Sequence, residues 1–419
     1  MKKHFVFLFV LHSLMAKSQE SNASQFSITP EILVGATTKS NFNFPSRKLQ
    51  KQAYLSFGWH HRADKQHWFS YLKTSKAGIS IGYTDLGNQA DLGEFFVLQP
   101  FLEYRLLKSH RLNLHIGTGI SYVTQKYHPV TNKYNRAVST DLNWAFRLFA
   151  YYNLILTPYA RWRIGLGYAH HSNGHARLPN QGYNSFLGSL SSEIGLSRKK
   201  QESKNGAPVV KLGKTISHYF SVRSGYGWHV LSQAFDERKG VYTLSGEFGK
   251  IYNHTLKLGI GSYVRFYQGY YDYISNNESL VQEGREFASL RSDAFANALN
   301  VGVTGNSELL LNHVGIDLQV GINLYKPAYK IDWRINQGWG EVPRKIPENG
   351  GFFRLGDLDD DYYKIKRTIS IRYGLKYYFV GTVKKPIHNF FAGIFINSNL
   401  GQADFTEVAI GYQKMFRVK

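Results

Sequence analysis

Alternation of apolar and polar side chains with a period of two recurs along this 419-residue chain, and it limits what the chain can become. In Leu112-Asn113-Leu114-His115-Ile116-Gly117, and on to Ile120-Ser121-Tyr122, apolar side chains take one face and polar or tiny ones the other. The pattern returns in Leu256-Lys257-Leu258-Gly259-Ile260-Gly261 and along Val314, Ile316, Leu318, Val320, Ile322 and Leu324. It returns again along Ile369, Ile371, Tyr373, Leu375 and Tyr377, opposite Arg372, Gly374 and Lys376. Successive residues of a strand point to opposite sides, so such text specifies strands with one greasy and one wet face. About sixteen of these segments lie between residues 28–37 and 407–415.

A soluble sandwich also alternates, and composition decides between the two. The chain holds 29 Tyr, 28 Phe and 39 Gly with only 11 Pro and no Cys. Aromatic girdles and lumenal glycines are what a membrane barrel uses, and no apolar run here is long enough for a helical span. Lys2, Lys3 and His4 precede an apolar run from Phe5 to Met15 and the small-residue exit Ala16-Lys17-Ser18, the pattern of a cleaved export signal. With no Cys there is neither a disulfide framework nor a lipoprotein anchor. The expected fold is all-β, a transmembrane antiparallel β-barrel in the outer membrane of a Gram-negative-type bacterium. The formal net charge of +22 suits an anionic partner. An exported chain seldom meets nucleic acid, so phosphorylated surface lipid is the expected partner; alternatively the basic residues line a water-filled lumen.

Four segments follow: a signal peptide at 1–18, a first half at 19–197, a basic connecting loop at 198–214 and a second half at 215–419. The halves read as diverged copies. RIGLGYAHHSN, ending at Asn173, corresponds to FAGIFINSN, ending at Asn399. Because the connection is short and the second half lacks a site of its own, one large barrel is favoured over two eight-stranded ones. Residues 275–298 and 336–362 read as surface loops.

The stretch from Arg161 to Asn184 carries the chemistry. Trp162, Ile164, Leu166 and Tyr168 share a face, opposite Arg161, Arg163, Gly165 and Gly167. Continued alternation puts His170 and Ser172 on the apolar, lipid-facing side, about 6.6 Å apart between Cα atoms. On the next segment Asn184 shares parity with Phe186, Leu190, Ile194 and Leu196. A serine needs a neighbouring imidazole to take its proton, and the imidazole needs a third group to hold its orientation. Ser172, His170 and Asn184 can fill those roles, whereas strand-end polar residues and Asn-Gly turns are also ordinary surface chemistry. His60, His61, His171 and His175 read as water-facing bystanders.

The segment HHSNGHARLPNQGYN resembles the lipid A 3-O-deacylase (PagL-type) family of outer-membrane hydrolases in its His-x-Ser-Asn and Pro-Asn-x-Gly. Residues 127–140 and 401–412 are similar to segments of longer relatives, often labelled acyloxyacyl hydrolases. The resemblance implies Ser172 as nucleophile, His170 as general base, and Asn173, Gly174 and Asn180 around the oxyanion and substrate. It places Asn184 where the family carries a Glu. An amide can orient imidazole but cannot offset its positive charge as a carboxylate does. In the second half Ile396 stands where the base should be, beside Asn397-Ser398-Asn399, so that half is expected to be scaffold.

The function expected is ester hydrolysis on lipid A, or lipopolysaccharide, by a Ser-His-(Asn) site without cofactor or metal. The acidic loop around Asp357, Asp359, Asp360 and Asp361 lacks the spacing of a calcium loop. The alternatives are a porin-like or structural barrel with a decayed site, and a phospholipase on the same scaffold.

Overall fold

The computed structural model describes residues 25–60, 74–106, 111–157, 160–195, 215–336 and 358–417. The expected signal peptide and the 198–214 connection lie outside these, as do His61 and most of the 336–362 loop.

The alternating segments form sixteen strands among the described residues. In the first half they are β1 (Gln25–Thr37), β2 (Gln50–His60), β3 (Thr74–Asp85), β4 (Glu94–Arg105), β5 (Leu112–Val123), β6 (Leu142–Leu156), β7 (Ala160–Ser172) and β8 (Tyr183–Gly195). In the second they are β9 (Ile216–His229), β10 (Lys239–Tyr252), β11 (Leu256–Tyr267), β12 (Leu299–Leu311), β13 (Val314–Tyr325), β14 (Ile369–Tyr378), β15 (His388–Asn399) and β16 (Gln402–Arg417).

Each half closes on itself. β1 pairs with β8 through Ile32↔Leu190 and Ala36↔Phe186, and β9 pairs with β16 through Tyr226↔Val408. The result is two closed eight-stranded barrels, which corrects the single large barrel favoured from the short connection. The reason is interior volume. Eight strands enclose just enough space for side chains to fill, whereas a sixteen-stranded ring leaves a channel that these residues do not line.

What fills the two lumens is charge. In the first barrel Arg147 meets Glu31 at 2.8 Å, Tyr151 Oη donates to Glu31 at 2.6 Å, and Arg163 meets Glu103 at 3.0 Å. In the second, Lys257 bridges Glu247 at 2.6 Å and Glu308 at 3.1 Å, and Lys376 bridges Glu308 at 2.8 Å and Asp317 at 2.6 Å. Arg372 completes the chain to Asp317 at 2.9 Å and Glu407 at 3.0 Å. All these side chains are buried. The inward Lys and Arg are therefore bound into ion-pair networks and do not line a water-filled lumen. The outward face is apolar, with Leu166, Phe186, Ile260 and Ile410 each more than half exposed.

The barrels touch along their outer walls. Outward-facing Leu102 on β4 packs with Leu311 and Ile316, and outward-facing Thr118 on β5 hydrogen-bonds Tyr373. Nearer the candidate site, Arg136 reaches Gln233 at 3.1 Å, and Trp144 Nε1 on β6 donates to Thr406 Oγ1 at 3.4 Å.

One loop expected to be bare surface has structure of its own. After β11 come helix α1 (Gln268–Ser275), a 3-10 turn (Ala288–Asp293) and the short helix α2 (Ala294–Asn297). Tyr270, Tyr273, Ile274, Val281, Phe287 and Leu290 bury a small core there. Helices α3 (Tyr329–Asn336) and α4 (Asp361–Thr368) stand at the same end of the second barrel.

Arg147→Met removes the cation from a buried carboxylate and leaves Tyr151 Oη as the hydrogen-bond donor to Glu31. Breaking such a pair costs about 3–5 kcal/mol, and Glu31→Gln in the same chain should recover much of it. Urea unfolding in detergent, followed by the heat-dependent gel shift of folded barrels, measures both variants.

Candidate active site

β7 and β8 pair in a register that sets His170 opposite Asn184 and His171 opposite Tyr183. Inward-facing His171 is buried at 2% exposure, with Nδ1 2.9 Å from Ser121 Oγ and its ring 4.7 Å from that of Phe95. Its neighbours His170 and Ser172 therefore take the outward face.

On that face His170 Nδ1 lies 2.8 Å from Asn184 Oδ1. An amide oxygen can only accept, so this contact holds the imidazole proton on Nδ1 and leaves Nε2 with its lone pair. Tyr168 Oη donates to the same Oδ1 at 2.5 Å, and the Tyr168 ring packs tilted against that of Phe186, 5.5 Å away. Tyr168 was read only as part of the apolar face. Its parity, one step before His170 on the same side, was the signal that it belongs to this group. Gly182, at φ +74°, lets the chain pass close to His170, where a Cβ would meet Cε1 at 2.7 Å.

Ser172 is the last residue of β7 and sits across the ladder from Trp144. It is only 7% exposed. The expectation of an open lipid-facing position is corrected here, because the second barrel stands against this flank. Thr406 of β16 donates to the Gly174 carbonyl at 3.2 Å, next to Ser172-Asn173. On the opposite side, toward β1, Phe186 is exposed. Among the described residues no hydrogen bond joins Ser172 Oγ to His170. Two positions apart on one strand face, they are close enough for side-chain rotation to bring an imidazole to a hydroxyl.

The turn after Ser172 is tightly fastened. Asn173 donates its backbone N–H to Asn180 Oδ1 at 2.9 Å and its Nδ2 to the Arg177 carbonyl at 2.8 Å and to Ser139 Oγ at 3.3 Å. Ser139 Oγ donates to the Pro179 carbonyl at 2.9 Å, and Gly182 N–H to the Ala137 carbonyl at 2.8 Å. The similar-looking segment 127–140 thus clamps the turn. Asn173 is a fastener, since its backbone N–H is already given to Asn180. The Gly174 N–H and the Asn180 Nδ2 amide are among the turn's donors without a partner among the described residues.

Two further expectations change. His175 is buried at 8% exposure with Nε2 3.0 Å from the Val230 carbonyl of the second barrel, so it is no wet bystander. His60 lies 2.8 Å from Glu193. At the matching place in the second barrel, Asn397 donates to Glu407 at 2.9 Å and Asn399 accepts from Lys326 at 2.7 Å. Both are bound into that barrel's own polar interior.

Residues 36–192 match the family model described as lipid A 3-O-deacylase (PagL). That match takes in nearly the whole of the first barrel. The crystal structure of the outer membrane enzyme PagL is 22% identical to the chain, covering 40% of it and 98% of PagL, with a TM-score of 0.29. The high-pH structure of Pseudomonas putida OprB is 8% identical, covering 94% of this chain and 93% of that one, with a TM-score of 0.16. The NanC porin is 7% identical over 93% of this chain and 100% of its own, with a TM-score of 0.15. No curated protein matches the sequence.

Asn173→Ala in the first barrel removes two donors from the turn, each worth about 1 kcal/mol. Local opening should rise about tenfold or more, read as faster tryptic cleavage after exposed Arg177 while the barrels stay folded.

Proposed function

We propose that the first barrel sits in the outer membrane and hydrolyses an ester-linked acyl chain of lipid A. The observation that carries this reading is the Asn184–His170 hydrogen bond of 2.8 Å, on the same outward face as Ser172 and inside the segment that matches the deacylase family. Ser172 Oγ attacks the acyl carbonyl as His170 Nε2 takes its proton. Asn184 keeps the ring turned for that transfer through Nδ1. The Gly174 N–H and Asn180 Nδ2 would serve the developing oxyanion, which needs donors fixed before the charge forms. His170 returns its proton to the leaving sugar hydroxyl, and water then releases the fatty acid from Ser172. No metal takes part. Exposed Lys39 and Arg177 on loops flanking the site suit the sugar phosphates.

The acyl chain enters from the Phe186 side, since the other side of Ser172 is covered by Trp144 and the second barrel. Asn184 in place of an acid lowers the rate, because the imidazolium of the transition state has no anion beside it. A structural barrel with a decayed site is the competing reading, favoured by that same amide and by the covered serine.

Lipid A from cells expressing each form, analysed by mass spectrometry, separates the two. The wild type should lose an acyl chain, and Ser172→Ala and His170→Ala should slow that loss by about 10²–10⁴-fold. Identical acyl patterns in wild type and both variants contradict the hydrolase. Acyl loss from glycerophospholipid with lipid A intact makes it a phospholipase.

A further inference from the structure

We propose that the end of the second barrel beside the His175 turn holds a divalent transition-metal ion of the zinc and manganese class, ligated by His229, Asp332 and Asp404. β9 ends on His229, β16 brings in Asp404 two residues after its start, and α3 carries Asp332. One donor atom from each lies within 4.8 Å of the others, and His229 Nε2 is 3.7 Å from Asp404 Oδ1. Ligand atoms around zinc, bonded at about 2.0–2.2 Å, stand roughly 3.3 Å apart, so the triad needs a contraction on the order of 1 Å.

The decisive observation is His229 itself. Its side chain is 1% exposed, and neither ring nitrogen has a hydrogen-bond partner. Buried imidazoles are normally satisfied on at least one nitrogen, and this one is aimed at two carboxylates. Those carboxylates are oriented from behind, as metal ligands usually are. Tyr267 Oη donates to Asp404 Oδ2 at 2.8 Å, leaving Oδ1 toward His229. Asn336 donates to Asp332 Oδ1 at 2.6 Å and Tyr270 Oη to Oδ2 at 3.3 Å.

A nearby cation competes for one carboxylate. Lys326 Nζ is 3.7 Å from Asp404 Oδ2 and is also held by Asn399 Oδ1 at 2.7 Å. Arg265, also buried, acts on Asp404 as well, so the two carboxylates face two fixed cations and the ion would be held by its donor atoms and not by surplus negative charge. One imidazole with two carboxylates is a borderline donor set, which suits zinc or manganese better than a soft or a purely oxygen-seeking ion.

The ion would also steady the candidate active site. His175, next to Gly174, stacks on His229 at 5.4 Å and 22°. Binding itself is independent of the hydrolytic reading and is measured without any assay of hydrolysis.

The full-length protein in detergent, stripped with EDTA and titrated with ZnCl₂, should bind one Zn²⁺ per chain. His229→Gln and Asp332→Asn should each weaken binding about 10–100-fold, while His388→Gln, exposed on β15, leaves it unchanged. Absence of stoichiometric Zn²⁺ in the wild type, or equal affinity in the two site variants, overturns the proposal. Should either site variant lose its folded-barrel gel shift, Co²⁺ in the wild type decides. A paramagnetically shifted imidazole proton supports the site, and the spectrum of free aqueous Co²⁺ contradicts it.

Discussion

The hydrogen-bonded seam between β1 and β8, repeated between β9 and β16, is the constraint on which the rest of the structure depends. In lipid no water is available to satisfy an unpaired strand edge, so a spanning sheet must close. Closing at eight strands makes an interior that only side chains can fill. Arg147, Arg163, Lys257, Arg372 and Lys376 enter it, and each finds a carboxylate. These inward cations are offset by the carboxylates they meet, so they add little to the chain's net charge of +22.

Closing twice gives the protein two outer walls, and part of each is spent on the other. Leu102, Thr118, Trp144 and Ser172 all face outward by strand parity, yet none stands open. That shared wall ends at the candidate site. Trp144, Thr406 and Gly174 form a short chain of hydrogen bonds that ties the turn after Ser172 to β16. The second barrel, expected to be scaffold, thus supplies Thr406 to the turn after Ser172 and Val230 and His229 to the pocket of His175.

Strand number, parity and the identity of the outward group were legible because alternation is a local property of the text. The pairing of His170 with Asn184 followed from it, since both residues share the parity of their apolar neighbours. Closure was not legible, because the partner of β1 is named by long-range register and not by any turn. Nor was the burial of His171 and His175. His171 has the lumenal parity of Arg163, but its depth depends on Phe95 and Ser121 from other strands. His175 is covered by residues more than fifty positions away, as its 3.0 Å contact with Val230 shows. Tyr168 could have been found, being a polar-tipped residue on the site's own face.

The central claim is that Ser172, turned outward and served by His170, is an activated nucleophile beside lipid. A long-chain alkyl fluorophosphonate, added to membranes containing the full-length protein, tests it most directly, with the labelled peptide identified by mass spectrometry. The account predicts a single adduct on Ser172, formed from the Phe186 side and lost in His170→Ala. An unlabelled Ser172 in a folded barrel whose membranes still lose acyl chains, or an adduct on another residue, would contradict it.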